Sequence, residues 1–175
     1  MRRLMLLRHS AAERANPGDS DQERPLSPEG RADAATIGAY LGNHSFRPDR
    51  VLVSPSTRTR ETWRQIAAAL RTAPEPVFDE RIYNAAAQSL FNVIAEMAGD
   101  AQSVLMLGHN PGLHELAVLL VATGDIDTRE RLRENFPTSG VAIIDFALDG
   151  WAKLHPRSGR LERFVSPKLI AGATN

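Results

Sequence analysis

Apolar residues in this chain fall into short unbroken runs, separated by stretches in which they recur every three or four positions. Leu4-Met5-Leu6-Leu7, Val51-Leu52-Val53 and Val104-Leu105-Met106-Leu107 are continuous, as strands covered on both faces are. Strands are therefore predicted at the start of the chain and over 50–54 and 103–107. Between them, Ala34, Ile37 and Leu41 mark one face of a helix. Ser27-Pro28-Glu29 opens it with a capping hydroxyl, a first-turn proline and a first-turn acid. Trp63, Ile66, Ala67 and Leu70 mark a second helix, capped by Ser56 and ended by Pro74 and Pro76. Val77-Phe78 reads as a short extended piece, Leu90, Val93, Ile94 and Met97 as a third helix, and Pro111 to Ala122 as a fourth. The tail differs. Strands are expected over 141–148, 151–155 and 161–165, with Asp149-Gly150 as a hairpin turn. The pattern predicts an α/β fold. Its form is a three-layer α/β/α sandwich, with a mainly parallel sheet and C-terminal antiparallel hairpin strands, built as one domain over 1–175.

Composition narrows the function. Lys+Arg and Asp+Glu are both 21, for a net charge of zero. Broad nucleic-acid or anionic-membrane binding needs a basic excess, so neither is expected. A local anion site needs only a few cations. The absence of cysteine rules out thiol nucleophiles, disulfides and thiolate-bound zinc, and suits a cytoplasmic setting. Met1-Arg2-Arg3 and the apolar run after it are too short for a signal peptide. Residues 10–26 form a long polar loop, which points to a functional loop.

The chemistry is written where the strands end. Arg8-His9 follows the first strand, Arg58 lies shortly after the second, and His109 closes the third. Open α/β sheets bind ligands at these carboxyl ends. Two guanidiniums and two imidazoles brought together there would suit phosphate. Arginine donates a fork of hydrogen bonds to phosphate oxygens while staying charged. A neutral imidazole can attack phosphorus. His44 in a polar turn, His155 in the tail and His114, five residues from His109, lack the spacing of a metal pair, and no metal or other cofactor is expected.

The chain resembles the histidine phosphatase superfamily, the phosphoglycerate-mutase-like fold. The matching segments are Leu7-Arg8-His9, Ser54-Pro55-Ser56-Thr57-Arg58-Thr59-Arg60-Glu61-Thr62 and Leu107-Gly108-His109-Asn110-Pro111. Residues 21–30, running from Asp21 through Arg24-Pro25-Leu26-Ser27 to Gly30, and Phe136-Pro137-Thr138-Ser139-Gly140 resemble its short SixA-type phosphohistidine phosphatase branch. The resemblance implies His9 as nucleophile, and Arg8, Arg58 and His109 with it as the phosphate pocket. Arg58, four residues after Ser54, matches the family arginine, and Arg60 becomes a helix-face residue. Ser10 replaces the usual glycine after the dyad and offers a hydroxyl as a further phosphate contact. Glu61 stands where glutamine is common. Phe78-Asp79-Glu80 resembles the segment that bears a proton donor, with Glu80 better placed than Asp79. Both acids also read as solvated loop charges. A proton donor matters less if the leaving group is imidazole.

The resemblance implies a metal-independent phosphatase working through a phosphohistidine intermediate. Its expected substrate is a phosphohistidine-bearing protein. The alternatives are a broad phosphomonoesterase of small metabolites and a non-catalytic phosphate- or phosphoprotein-binding module. A nucleotide-binding regulator is disfavoured, because no glycine-rich phosphate loop follows the first strand. The pocket should be open, and the free N–H of Gly112 or Leu113 at the start of the fourth helix is a candidate anion donor.

Overall fold

Continuous apolar strands demand helices on both faces, and that is the architecture found. A computed structural model describes residues 1–173, so residues 174 and 175 of the expected domain lie outside the described residues. Seven strands form one sheet, in the order β3 (Val77–Phe78), β2 (Arg50–Val53), β4 (Ser103–Gly108), β1 (Arg2–Arg8), β6 (Val141–Phe146), β7 (Gly159–Val165) and β5 (Val121–Gly124). β3, β2, β4 and β1 are mutually parallel. β6 is antiparallel to both its neighbours, and β5 pairs parallel with β7.

Side chains alternate across this sheet. Leu4, Leu6, Leu52, Val104 and Met106 point to one face. There they meet Leu90, Val93 and Ile94 of α3 (Ala87–Met97), Leu113, Leu116 and Leu120 of α4 (Gly112–Leu120), and Leu132 of α5 (Ile126–Glu134). Met5, Leu7, Val51, Val53, Leu105 and Leu107 point to the other. They pack on Ile37 and Leu41 of α1 (Pro28–Asn43) and on Trp63 and Ile66 of α2 (Thr57–Ala69). The chain ends in α6 (Pro167–Ala173), whose Ile170 joins this layer. The layered α/β/α arrangement is the predicted one, and the helix starts behave as read. Ser27 accepts from the N–H of Gly30, and Ser56 from that of Thr59.

The tail departs from expectation. Residues 151–155 are not a strand: Trp151–Lys153 is a short 3₁₀ turn, so β6 and β7 are joined by a longer loop than a tight hairpin. Trp151 and Leu154 are both buried, three residues apart, which is the period of such a turn and not of a strand. The Trp151 indole donates to the carbonyl of Ala101. The fourth helix stops at Leu120, and Val121–Gly124 leaves it directly as an edge strand. It opens with the apolar Val121 and Ala122, like the helix before it, and nothing in their spacing marks the change. The hydrophobic pattern also does not mark α5, which is largely polar and is capped by Asp125.

Candidate active site

Because β1, β2 and β4 are parallel, the residues that follow them emerge at the same end of the sheet, beyond the strands' carboxyl ends. His9 follows β1, Arg58 stands in the first turn of α2 after β2, and His109 follows β4. Arg8, His9, Arg58 and His109 line one cleft of about 490 Å³. Asp21, Arg24, Asn84, Asn110 and Thr138 complete most of its wall. The structure thus brings these four residues to one cleft.

The two imidazoles lie 5.2 Å apart, centroid to centroid, but they are held differently. His9 Nδ1 is 2.8 Å from the carbonyl oxygen of Ser10. A carbonyl only accepts, so Nδ1 carries the proton and Nε2 keeps its lone pair. Burial lowers the His9 pKa to about 4, and Arg58, Arg8 and Arg24 push the same way. Both ring nitrogens of His109 are engaged. Arg58 Nη2 donates to its Nδ1 at 3.3 Å, and its Nε2 is 2.8 Å from the Ser54 hydroxyl. A guanidinium only donates, so His109 is neutral with its proton on Nε2. Its pKa is lowered to about 3, by burial first and then by His9 and Arg58.

The arginines are fixed from behind. Arg8 donates from Nη1 to the carbonyl of Phe136 at 3.1 Å, and the Asn110 amide donates to that same oxygen at 2.8 Å. Arg58 is nearly buried. Its Nη1 donates to the Asp21 carbonyl at 2.8 Å, and its Nη2 to the Asp21 carboxylate at 3.1 Å. That carboxylate also accepts from the Tyr83 hydroxyl at 2.5 Å and from Arg24 Nε at 3.0 Å. The Tyr83 bond, with Arg58 and Arg24, holds Asp21 well below the usual carboxylate range. Tyr83 meets the His109 ring edge-on, at 5.4 Å.

The long polar loop is the far wall of the cleft. Glu61 explains one anchor: its carboxylate accepts from the backbone N–H of Leu26 at 3.0 Å, tying the loop to α2. Gly30 explains another. A Cβ there would lie 2.0 Å from the Ala11 carbonyl oxygen, so only glycine allows α1 to approach the segment after His9. A second concavity of about 870 Å³ opens within the loop and shares Ala12 and Arg24 with the cleft.

Other expectations fall outside the cleft. Glu80 is exposed at the start of a 3₁₀ turn and does not line the cleft. Asp79 is committed to the backbone and guanidinium of Arg81. The Ser10 hydroxyl turns away from any phosphate contact, because it pairs with the Ser139 hydroxyl at 2.6 Å and Ser10 is fully buried. The Leu113 N–H is spent on the carbonyl of His109. His44 is exposed and stacks on Tyr40, His155 is exposed, and His114 bonds the carbonyl of Leu132. Arg60 lies over the Phe78 ring at 4.3 Å. Asp21 and Arg24 were legible only as parts of a motif, and Tyr83 and Asn84 had no signal. Among the described residues, no group of three or more His, Cys, Asp or Glu could hold a metal ion. None of the helices described is long and apolar enough to cross a membrane.

Known proteins share the family and the fold. The sequence profile of the histidine phosphatase superfamily (branch 1) matches residues 4–104. An uncharacterized protein of Mycobacterium tuberculosis is 34% identical over 153 residues, covering 86% of this chain and 94% of its own. A solved structure from Agrobacterium tumefaciens, assigned as a phosphohistidine phosphatase SixA, is 31% identical, with a TM-score of 0.77. The match covers 95% of this chain and 99% of that one. A second SixA-assigned structure, from Nakamurella multipartitia, is 26% identical at a TM-score of 0.82 and covers 95% and 96%.

Proposed function

The chain belongs to the histidine phosphatase superfamily, and on that premise we propose that this phosphatase, acting as one domain, removes phosphate from protein-borne phosphohistidine, with His9 as nucleophile. The observation that carries the reading is the unequal state of the two imidazoles. His9 offers a free, unprotonated Nε2 at the cleft, with Nδ1 anchored on Ser10. His109 has both nitrogens engaged.

In the proposed reaction His9 Nε2 attacks phosphorus, and the bond from phosphorus to the leaving imidazole nitrogen breaks with its electron pair, the substrate ring departing as neutral imidazole because its other nitrogen already carries a proton. Arg8, Arg58 and His109 stabilise the phosphoryl oxygens. Charge stabilisation of this kind is most of what phosphoryl transfer requires. Water then attacks the phosphohistidine, inorganic phosphate departs and the Nε2 lone pair returns. The arginines supply cationic charge within the site, so the proposal includes activity without a metal ion. It also includes a cytoplasmic setting, in keeping with a cysteine-free chain.

Two observations favour an imidazole over an alkoxide as leaving group. Asp21, the carboxylate in the cleft wall, is held ionised, and Glu80 stands outside it. An alkoxide would need an acid there. The concavity beside the cleft, larger than the cleft itself, leaves room for the chain that carries the phosphohistidine.

The test is a rapid quench at neutral to alkaline pH after brief reaction with phosphohistidine peptide, in the presence of EDTA. An acid-labile, base-stable phosphate should map to the His9 peptide, and His9→Ala should lose both label and turnover. A label on His109, activity lost to EDTA, or turnover of phosphoserine peptide but not phosphohistidine peptide would each overturn the corresponding part of the proposal.

A further inference from the structure

A buried chain of hydrogen bonds runs behind the nucleophile. The His9 ring donates to the Ser10 carbonyl. The Ser10 backbone N–H donates to Thr62 Oγ1 at 3.0 Å. Thr62 Oγ1 donates in turn to the carbonyl of Arg58 at 2.7 Å, one helical turn earlier in α2. A hydroxyl has one proton to give and lone pairs to accept with, so Thr62 does both at once. Ser10 and Thr62 are each 0% exposed, and water does not replace either partner.

A threonine that bonds the carbonyl four residues back is common in helices and does little by itself. The second bond sets Thr62 apart. The N–H and C=O of Ser10 belong to successive peptide planes, so fixing both fixes the backbone at Ser10. The group that orients His9 is thereby registered against the helical turn that carries Arg58.

We infer that Thr62 is a positioning residue for the phosphoryl transfer, holding the Ser10 peptide so that its carbonyl keeps the His9 proton on Nδ1. The inference rests on the reading of His9 as nucleophile. Without the Thr62 hydroxyl, the Ser10 N–H is left buried and unpaired, which a protein avoids by moving the peptide. The Ser10 carbonyl then leaves Nδ1, and the tautomer with its proton on Nε2 gains population. That tautomer has no lone pair to attack with.

The experiment compares Thr62→Val, which keeps the side-chain shape, with Thr62→Ala and Thr62→Ser. Imidazole nitrogen NMR reads the His9 tautomer, and single-turnover kinetics read the transfer step. Thr62→Val should lower the transfer rate by about 10–100-fold, the scale of loss from a small misplacement of a reacting group. The inhibition constant of inorganic phosphate should shift by less than about threefold, because Arg8 and Arg58 remain. The His9 signal should move towards a tautomer mixture, and Thr62→Ser should restore both tautomer and rate. Thr62→Ala should behave as Thr62→Val, and it gives the same readouts if the valine methyl prevents folding. A normal rate in a folded hydroxyl-free variant, a slow rate with the tautomer unchanged, or a Thr62→Ser enzyme as slow as the hydroxyl-free variants would overturn the inference. His9→Ala is run in parallel. If it turns over, the nucleophile assignment beneath the inference fails. If it is inert while Thr62→Val is fully active, the inference alone fails.

Discussion

Asp21 lays its carboxylate on the guanidinium of Arg58, Oδ2 to Nη2 at 3.1 Å, inside the wall of the cleft. The protein therefore supplies an anion of its own to an arginine proposed to bind phosphate. Asp21 steadies Arg58 and, being ionised, opposes an incoming dianion.

Asp21→Asn should tighten the binding of inorganic phosphate. The amide oxygen can still accept from Arg58, while the negative charge is gone. Two unit charges about 4 Å apart in water interact by about 1 kcal/mol, and the Asp21 side chain is 47% exposed, so the inhibition constant should fall by roughly 3–10-fold. Competitive inhibition by phosphate measures it. A weaker inhibition constant would mean that Asp21 acts mainly by holding Arg58 in place.

The two depressed imidazoles make stability depend on pH. Folded His9 titrates near 4 and His109 near 3, whereas an unfolded histidine titrates near 6.5. As pH falls through 6.5, the unfolded chain takes up protons that the folded protein refuses. Stability is therefore full above pH 6.5 and falls continuously towards pH 4 and then 3. For His9 alone the loss by pH 4 is on the order of 3 kcal/mol. Thermal midpoints measured from pH 7.5 to 4 should show the decline, and His9→Ala should flatten it. NMR titration of the His9 ring should show no proton uptake until well below pH 6. A midpoint near 6.5 would contradict the burial and the arginine fields that lower it.

Glu80→Gln should change turnover by less than about twofold on alkyl, aryl and phosphohistidine substrates alike, as exposed substitutions away from a site do. From sequence, Glu80 is a candidate proton donor and reads equally as a solvated loop charge. A loss confined to alkyl phosphates would restore that role and require the turn at Glu80–Ile82 to move into the cleft.

The difference between Arg58 and Glu80 shows what this sequence made legible. Arg58 sits at a fixed distance from the end of a buried strand, so parallel pairing of β2 and β4 carries it to the same end of the sheet as His109. The local pattern and the sheet impose the same position. Glu80 follows β3, an edge strand of two residues, and the turn after it is set by Asp79 capping the Arg81 N–H. Nothing in residue order decides which way such a turn faces. Tyr83 and Asp21 meet across 62 positions of chain, a contact without periodicity. Trp151 and Leu154 misled for a related reason. Two apolar residues in a short segment satisfy a strand or a 3₁₀ turn, and only the packing of Trp151 against Phe146 and Ala101 chooses between them.

His109 is expected to govern the rate of phosphoryl transfer without ever carrying the phosphate. Its ring is a spacer between Ser54 and Arg58, neutral because the guanidinium can only donate to Nδ1. A phosphoryl group beside Arg58 adds negative charge to that of Asp21, and that charge favours a proton on Nδ1. His109 then becomes a donor to the oxygens on which charge builds up. Removing such a donor costs about 10²–10³ in rate, so His109→Ala should slow labelling of His9 by that amount. The ring also holds Arg58, so phosphate binding should weaken as well. His109→Asn, whose amide can both donate and accept, should recover part of the binding and little of the rate. Quench-flow labelling and phosphate inhibition separate the two effects. Equal losses in binding and rate across both variants would reduce His109 to a support for Arg58.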